Sequence, residues 1–179
     1  MLFMSLKESV KLVAGLMEIA ARTAPKAVGQ DFIEVKVLTD EEKNAIGNEL
    51  IAMSNEKGPG FARDGQNVLD ADALVLIGLL PHKGIGLNCG ACGCDSCAEF
   101  NEHHTKIEFD GPNCSIRMLD LGIALGSAAK VAADLNVDNR IIYRVGVAAK
   151  RLGIGSANIS HGIPLSATGK NIFFDRPTK

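Results

Sequence analysis

Tryptophan is absent from the 179 residues, tyrosine occurs once, and aromatic residues make up only 4 % of the chain. Little surface is left on which nucleobases could stack. The formal net charge is −2 at pH 7, so nothing draws the chain toward nucleic acid or an acidic membrane surface. No apolar run approaches the roughly 18 residues that a membrane-spanning helix needs. Met1-Leu2-Phe3-Met4 is apolar but has neither a basic flank nor a cleavage site, so a signal peptide is not expected. Walker A, HExxH and Ser-His-Asp patterns are also missing. Cysteine is confined to one stretch, from Cys89 to Cys114, and internal repeats are not found.

What is present fits one globular domain spanning 1–179, with 46 % hydrophobic and 22 % charged residues. Four of the five cysteines follow the spacing C-x2-C-x4-C-x16-C: Cys89, Cys92, Cys97 and Cys114. Cys94 stands off the pattern. Sulfurs this close in sequence converge on one centre only if the backbone curls. Gly90 and Gly93, each directly after a cysteine, permit that curl because glycine tolerates positive φ. Three readings compete: a four-thiolate iron–sulfur site, a structural zinc site, and buried or disulfide-bonded cysteine. The odd count and the lack of a secretory segment weigh against disulfides. Thiolates at a metal need a reducing compartment, so a cytoplasmic protein is expected.

The motif Asn88-Cys89-Gly90-Ala91-Cys92-Gly93, then Cys97-x-Glu99-Phe100 and Gly111-Pro112-Asn113-Cys114, resembles the [4Fe-4S] motif of acetyl-CoA synthase corrinoid proteins and related reductases. The whole chain also resembles a small prokaryotic family described only as containing a ferredoxin domain. The resemblance implies a [4Fe-4S] cluster and sets Cys94 apart from the ligands.

In chain order, residues 5–22 read as an amphipathic helix with Leu6, Val10, Val13, Met17 and Ala20 on one face and a Ser5/Glu8 capping box. Pro25 ends it, and residues 24–31 read as an ordered loop. A strand is predicted over 32–38, and a helix over 40–56 opened by Thr39 and Glu42 and striped by Ile46, Leu50 and Met53. Residues 61–72 carry a short helix or loop. The apolar run 73–80 reads as a central strand covered on both faces. The segment 82–114 looks inserted between scaffold elements, with a short helix from Ser96 to His103. Residues 116–135 form a long helix with Leu121, Leu125, Ala128, Ala132 and Leu135 on one face. Gly122, Gly126, Ala129 and Ala133 make a second, small face, suited to close packing against a helix of the same subunit or of a dimer partner. Asp138 reads as the cap of a helix over 139–152 closed by Gly153. A final strand is expected over 156–163, ending at Pro164. The paired Phe173 and Phe174 predict a docked tail.

Outside the cysteines, Glu18-Ile19-Ala20-Ala21-Arg22-Thr23-Ala24-Pro25, the strand 32–38, Asp120-Leu121-Gly122-Ile123-Ala124 and Gly162-Ile163-Pro164 resemble the nitroreductase family. That resemblance implies an α+β fold, a sheet flanked by helices, with the cysteine-rich iron–sulfur loop inserted. It also implies FMN at the subunit boundary and an intertwined homodimer. In that family Ser, Asn and Gln follow the Ala-Pro turn and contact the flavin; here Lys26, Gly29 and Asp31 stand there. A flavin phosphate would then fall to Arg22, Lys26, Lys170 and Arg176. The competing reading of Arg22 and Lys26 is a basic helix end interacting with the helix dipole. His82 and His161 follow predicted strand ends and are candidate proton donors.

Together these observations point to an iron–sulfur, FMN-dependent oxidoreductase or electron-transfer protein, with a redox partner such as a ferredoxin. The alternatives are a ferredoxin-like carrier without flavin or substrate, and a zinc-stapled interaction protein.

Overall fold

The computed structural model describes residues 4–175. Met1 to Phe3 and the candidate Arg176 lie outside the described residues. Helix α1 (Leu6–Thr23) opens on the expected capping box: Ser5 Oγ accepts the Glu8 N–H, and the Glu8 carboxylate accepts the Ser5 N–H. A single 3-10 turn, Ala27–Gly29, leads to β1 (Ile33–Val37). Helix α2 (Asp40–Lys57) repeats the box with Thr39 and Glu42. Gly58, at φ 94°, turns the chain into α3 (Pro59–Asp70), a full helix where a short helix or loop was expected. Strand β2 (Ala73–Leu79) follows, then the cysteine stretch with α4 (Cys97–Glu102), β3 (Thr105–Lys106) and β4 (Asp110–Gly111). Helix α5 (Ser115–Asp134), β5 (Asp138–Asn139), α6 (Tyr143–Leu152) and β6 (Ile159–Ser166) complete the order.

The main sheet has the order β1-β2-β6-β5, antiparallel at every pairing. Every residue of β2 is buried, as the apolar run predicts. Alternation sorts its side chains into two layers. Ala73, Val75, Ile77 and Leu79 meet Val10, Ala14 and Met17 of α1 and Leu121, Ala124 and Leu125 of α5. Leu74 and Leu76 meet Ile46 and Leu50 of α2, Phe61 and Val68 of α3, and Val145 and Ala148 of α6. Each buried aliphatic side chain contributes about 1.5–3 kcal/mol. The helix stripes run close to expectation, but their ends do not. Leu6, the first residue of α1, is 63 % exposed, and Leu135, the C-cap of α5, 47 %. Of the tail pair, Phe173 is fully buried while Phe174 is exposed beside the Arg140 guanidinium.

Two expectations about the C-terminal third are overturned. Asp138 does not cap a helix. Its backbone pairs with Ser166 in β5, its carboxylate accepts the Asn171 side-chain amide at 3.0 Å, and α6 begins only at Tyr143 after Ile142. Sheet pairing has overridden a local cap signal. Nor does the last strand stop at Pro164, which sits inside β6 opposite Leu74. The reason lies on the other flank. Gly162 pairs with Ile142, and Leu165 pairs with Asn139, so the ladder breaks at Arg140 and Ile141. The Gly162 N–H donates to Ile142 O on that flank, and two residues on the proline nitrogen faces the same way, into the gap. A residue without an N–H is tolerated where no acceptor stands opposite it.

Helix α6 lies unusually close to β6. A methyl group built on Gly146 would sit 1.7 Å from Ser160 O. Gly146→Ala should therefore destabilise by about 3 kcal/mol, since backbone must move to admit the methyl. Gly15, mid-way along α1, has nothing within 4 Å of the equivalent methyl. Gly15→Ala should stabilise by about 0.5–1 kcal/mol. Opposite shifts of the denaturant midpoint are the expected result; equal shifts would contradict the close α6–β6 approach.

Candidate metal centre

The cysteine stretch leaves the sheet at the end of β2 and is pinned back to it through one ring. His82 Nδ1 lies 2.9 Å from Leu80 O, and the Cys114 N–H donates to His82 Nε2 at 3.0 Å. One ring nitrogen must donate and the other accept, which assigns a neutral imidazole with its proton on Nδ1. Burial pushes the His82 pKa down, favouring that neutral form. The ring stacks on Phe100 and meets Phe32 edge-on, with both centroids 6.1 Å away.

Local geometry then gathers the sulfurs. Asn88, Gly90 and Gly93 all adopt positive φ, at 47°, 68° and 86°. The Asn88 side-chain carbonyl accepts the Cys97 N–H at 2.8 Å. Ser96 caps α4, so Cys97 starts that helix. Cys114 occupies the N-cap of α5. Ser115 Oγ donates to Ala91 O at 2.7 Å and ties the loop to α5. The result is a narrow hollow of about 10 Å³ lined by all five cysteines, with Gly84, Ile85, Phe100 and Ser115 among its other walls. At Gly84 a methyl would lie 3.0 Å from Cys97 Cβ and 3.2 Å from its Sγ, so the absence of a side chain there makes room for the sulfur.

Five thiols in one lining fit an iron–sulfur cluster or a thiolate-bound zinc. Among the described residues no three His, Cys, Asp or Glu side chains already stand as a coordination shell, so the thiols would have to move inward to hold a metal. Cys114 and Cys94 are buried, Cys92 and Cys97 half-buried, and Cys89 exposed. Cys94 differs in its chemistry. Burial, and next the neighbouring Cys92 thiol, push its pKa up and hold it as a thiol. Its sulfur lies 3.9 Å from His103 Nδ1.

The four candidate flavin-phosphate residues are not brought together. Arg22 donates to the Asp31 carboxylate and to Ile33 O, both at 2.7 Å. Lys26 donates to Ala21 O and Arg22 O, capping the C-terminus of α1. Lys26 thus takes the helix-end role, while Arg22 ties the end of α1 to Asp31 and the start of β1. Lys170 pairs with Asp175 at 2.6 Å, beyond the far end of α5. From Asp120, which accepts the Ala27 N–H, to the end of α5 is about 20 Å of helix rise. Arg176 is outside the described residues. These residues do not fit a flavin phosphate in this arrangement.

Sequence reasoning missed two features. One is the role of His82 as a bracket for Cys114. The other is Arg117, which is 2 % exposed, pairs with Asp120, and donates to Ala27 O and to Gln30. A lone arginine in the first turn of an apolar helix was the only signal. His161 is not at a strand end. It lies inside β6, with Tyr143 6.2 Å away, and its Nδ1 is buried without a partner.

The antiparallel sheet between two helical layers, with α1 and α5 packed together, defines a nitroreductase-like α+β fold. Nitroreductase A of Vibrio parahaemolyticus is similar over 90 % of this chain, with a TM-score of 0.56 at 12 % identity. This chain spans 60 % of that protein's length. A BluB-like flavoprotein of Clostridium difficile is similar over 99 % of this chain and 86 % of its own, with a TM-score of 0.52 at 16 % identity. An FMN- and NADPH-dependent nitroreductase, NfnB, from a Sphingopyxis species has a TM-score of 0.52 at 15 % identity, over 94 % of this chain and 83 % of its own. The chain belongs to the family of uncharacterized proteins containing a ferredoxin domain, whose model matches residues 110–176 and so includes Cys114. An uncharacterized protein of Archaeoglobus fulgidus is 47 % identical over 173 residues, covering 96 % of this chain and 94 % of its own.

Burial lowers the His161 pKa, so the unfolded chain binds the extra proton first as pH falls. Stability from this group is complete above the ordinary histidine range, near about 6.5, and is lost below it. His82, buried likewise, acts in the same direction. The denaturation midpoint should fall between pH 7 and pH 5.5, and His161→Gln should flatten that fall. An unchanged slope would mean that His161 titrates normally.

Proposed function

We propose that the chain is an iron–sulfur electron-transfer protein holding one [4Fe-4S] cluster on Cys89, Cys92, Cys97 and Cys114. The observation that carries the reading is the hollow at the start of α5, lined by every cysteine of the chain and fastened to the sheet through His82. The cluster, when bound, supplies one-electron storage. The chain's own residues set its surroundings. Asn88 and His82 take up the N–H groups of Cys97 and Cys114, fixing both ligands. Phe100 closes the inner wall. Cys94 stays a protonated thiol beside His103 and is not a ligand. Exposed Cys89 puts one corner of the site at the surface, where a redox partner such as a ferredoxin would approach. Residues 82–114 act as an inserted cluster-binding segment in a single domain, working in a reducing compartment such as the cytoplasm. Among the described residues no helix is long and apolar enough to cross a membrane.

The reading includes no flavin. The structural neighbours whose names carry FMN or flavin share the fold at low identity, while Arg22 is paired with Asp31 and Lys26 with the carbonyls at the end of α1. Zinc remains the other occupant that an all-thiolate site would take, and it would make the loop a structural staple. Anaerobic purification separates the two. A broad absorption shoulder near about 400 nm with iron and sulfide supports the cluster. A colourless protein with stoichiometric zinc overturns it. Cys92→Ser should lose most of the iron, and Cys94→Ser should keep it; equal loss would mean that the ligand set is wrong.

The chain also forms a homodimer in this reading. Leu12, Leu16 and Ile19 of α1 and Leu119 and Ile123 of α5 are 43–61 % exposed, next to Gly122 and Gly126, whose small surfaces have nothing within 4 Å. Among the described residues no helix covers these side chains, and exposed apolar surface of this kind marks an interaction site. Gly126→Leu should weaken association by overpacking a close helix contact. A wild-type monomer by light scattering at micromolar concentration would remove the dimer.

A further inference from the structure

Four thiolates suffice for a cluster, yet five thiols line the hollow. The fifth, Cys94, stands off the spacing in sequence but not in space. It is buried and packs with Cys114 and Phe100, with Cys92 against them. Cys89, one of the four proposed ligands, is exposed. A thiol outside the set is thus sealed in beside two of its members, while one member faces solvent.

The backbone relates Cys94 to that member in particular. The Gly93 N–H donates to Gly90 O at 2.9 Å, which closes a β-turn over residues 90–93. Such a turn holds its first and last residues within about 7 Å, Cα to Cα. Cys89 and Cys94 are the residues on either side, so they stand at the two feet of one turn. A methyl built on Gly90 would lie 4.0 Å from Cys94 O, which sets the feet side by side. Both cysteines line the same hollow. The other ligands are placed differently. Cys92 lies inside the turn, next to Ala91, whose carbonyl accepts from Ser115 Oγ at 2.7 Å. Cys97 starts α4 and Cys114 caps α5, and each has its N–H taken by a side chain. Exchanging Cys94 for Cys89 moves the feet of one turn; exchanging it for any other ligand breaks an anchor.

We propose that Cys94 is a reserve ligand for the place of Cys89. The inference rests on the cluster reading and adds to its resting set a second one: Cys92, Cys94, Cys97 and Cys114. In the exchange the bond from iron to the Cys89 sulfur breaks and a bond to the Cys94 sulfur forms. The thiol proton of Cys94 passes to the departing Cys89 thiolate, so net charge and oxidation state are unchanged. Cys89 is the ligand that solvent reaches first, and a buried substitute at the other foot of the turn keeps the metal held when Cys89 is lost.

The test uses anaerobically purified full-length protein. Cys89→Ala and Cys94→Ala are made singly and together, beside Cys92→Ala, because alanine offers the metal no replacement oxygen. Iron, sulfide and electron paramagnetic resonance are read on each. Cys89→Ala should keep a four-iron cluster, which is silent in the oxidised state, while Cys92→Ala loses it. Adding Cys94→Ala to Cys89→Ala should lower four-iron content about tenfold, with no such drop when Cys94→Ala enters the wild type; two groups serving one place are non-additive in this way. Cys89→Ser, closer in size and polarity, repeats the measurement should the alanine variant not fold. A three-iron resonance in oxidised Cys89→Ala means that the fourth place stands empty and overturns the reserve ligand, as does equal loss of iron in Cys89→Ala and Cys92→Ala. Either result, with a four-iron cluster in the wild type, leaves the cluster reading standing. A wild type that holds zinc removes the cluster, and the same variants read by zinc content then decide the reserve ligand by the same comparison. A wild type that holds neither metal overturns both.

Discussion

The structure depends on β2 being buried on both faces. A strand with no solvent-facing side must find cover for two sets of side chains, and it must pair along both edges. One set recruits α1 and α5; the other recruits α2, α3 and α6. Pairing with β1 on one edge and β6 on the other satisfies its backbone. Close approach is then enforced from outside. Asp64, fully buried between α3 and α6, accepts from Arg144 at 2.6 Å and from Arg63 at 2.9 Å, so the outer helices are held by charge as well as by apolar area.

The same strand determines where the chemistry sits. β2 ends at Leu79, and the chain reverses at Pro81, which delivers His82 beside the start of α5. A loop of this composition buries too little apolar surface to hold itself. It is organised instead by borrowed contacts: His82 to Cys114, Asn88 to Cys97, Ser115 to Ala91. The N–H groups of Cys97 and Cys114 are spent on side chains and do not point at sulfur. Hydrogen bonds to cluster sulfur are among the factors that set cluster potential, so under the proposed cluster reading these choices would bear on redox behaviour as well as on shape.

Much of this was legible. The capping boxes at Ser5 and Thr39, the apolar run 73–80, the glycine at 153 and the cysteine spacing each encode a local physical demand that no distant contact overrules. The misreadings share a cause. Asp138 has the chemistry of a cap, and Pro164 that of a strand terminator, but the β5–β6 register decides both, and register is not local. Arg22 and Lys26 carry the right charge for phosphate, yet Arg22 bonds Asp31 and the Ile33 carbonyl, and Lys26 the carbonyls at the end of α1. Arg117 could not be told from a surface arginine, because its partners Ala27 and Gln30 lie far away in sequence. The expectation that four thiols share one centre rests on their spacing; that Cys94 lines the same hollow, and that one ring anchors it, was not legible there.

The broken ladder beside Pro164 has a further consequence. β5 is one outer strand of the sheet, and it is only two residues long before the pairing lapses and resumes at Ile142. A second chain seeking to add a strand there would find too few consecutive donors and acceptors to grip. At the other outer strand, Glu34 accepts the N–H groups of Ser156 and Ala157, which binds a loop beside it, and Lys36 carries charge toward solvent. Short, interrupted or charged borders are how sheet proteins resist templated aggregation. The irregularity that defeats a naive reading of the last strand thus protects a very apolar sheet from growing beyond its own molecule.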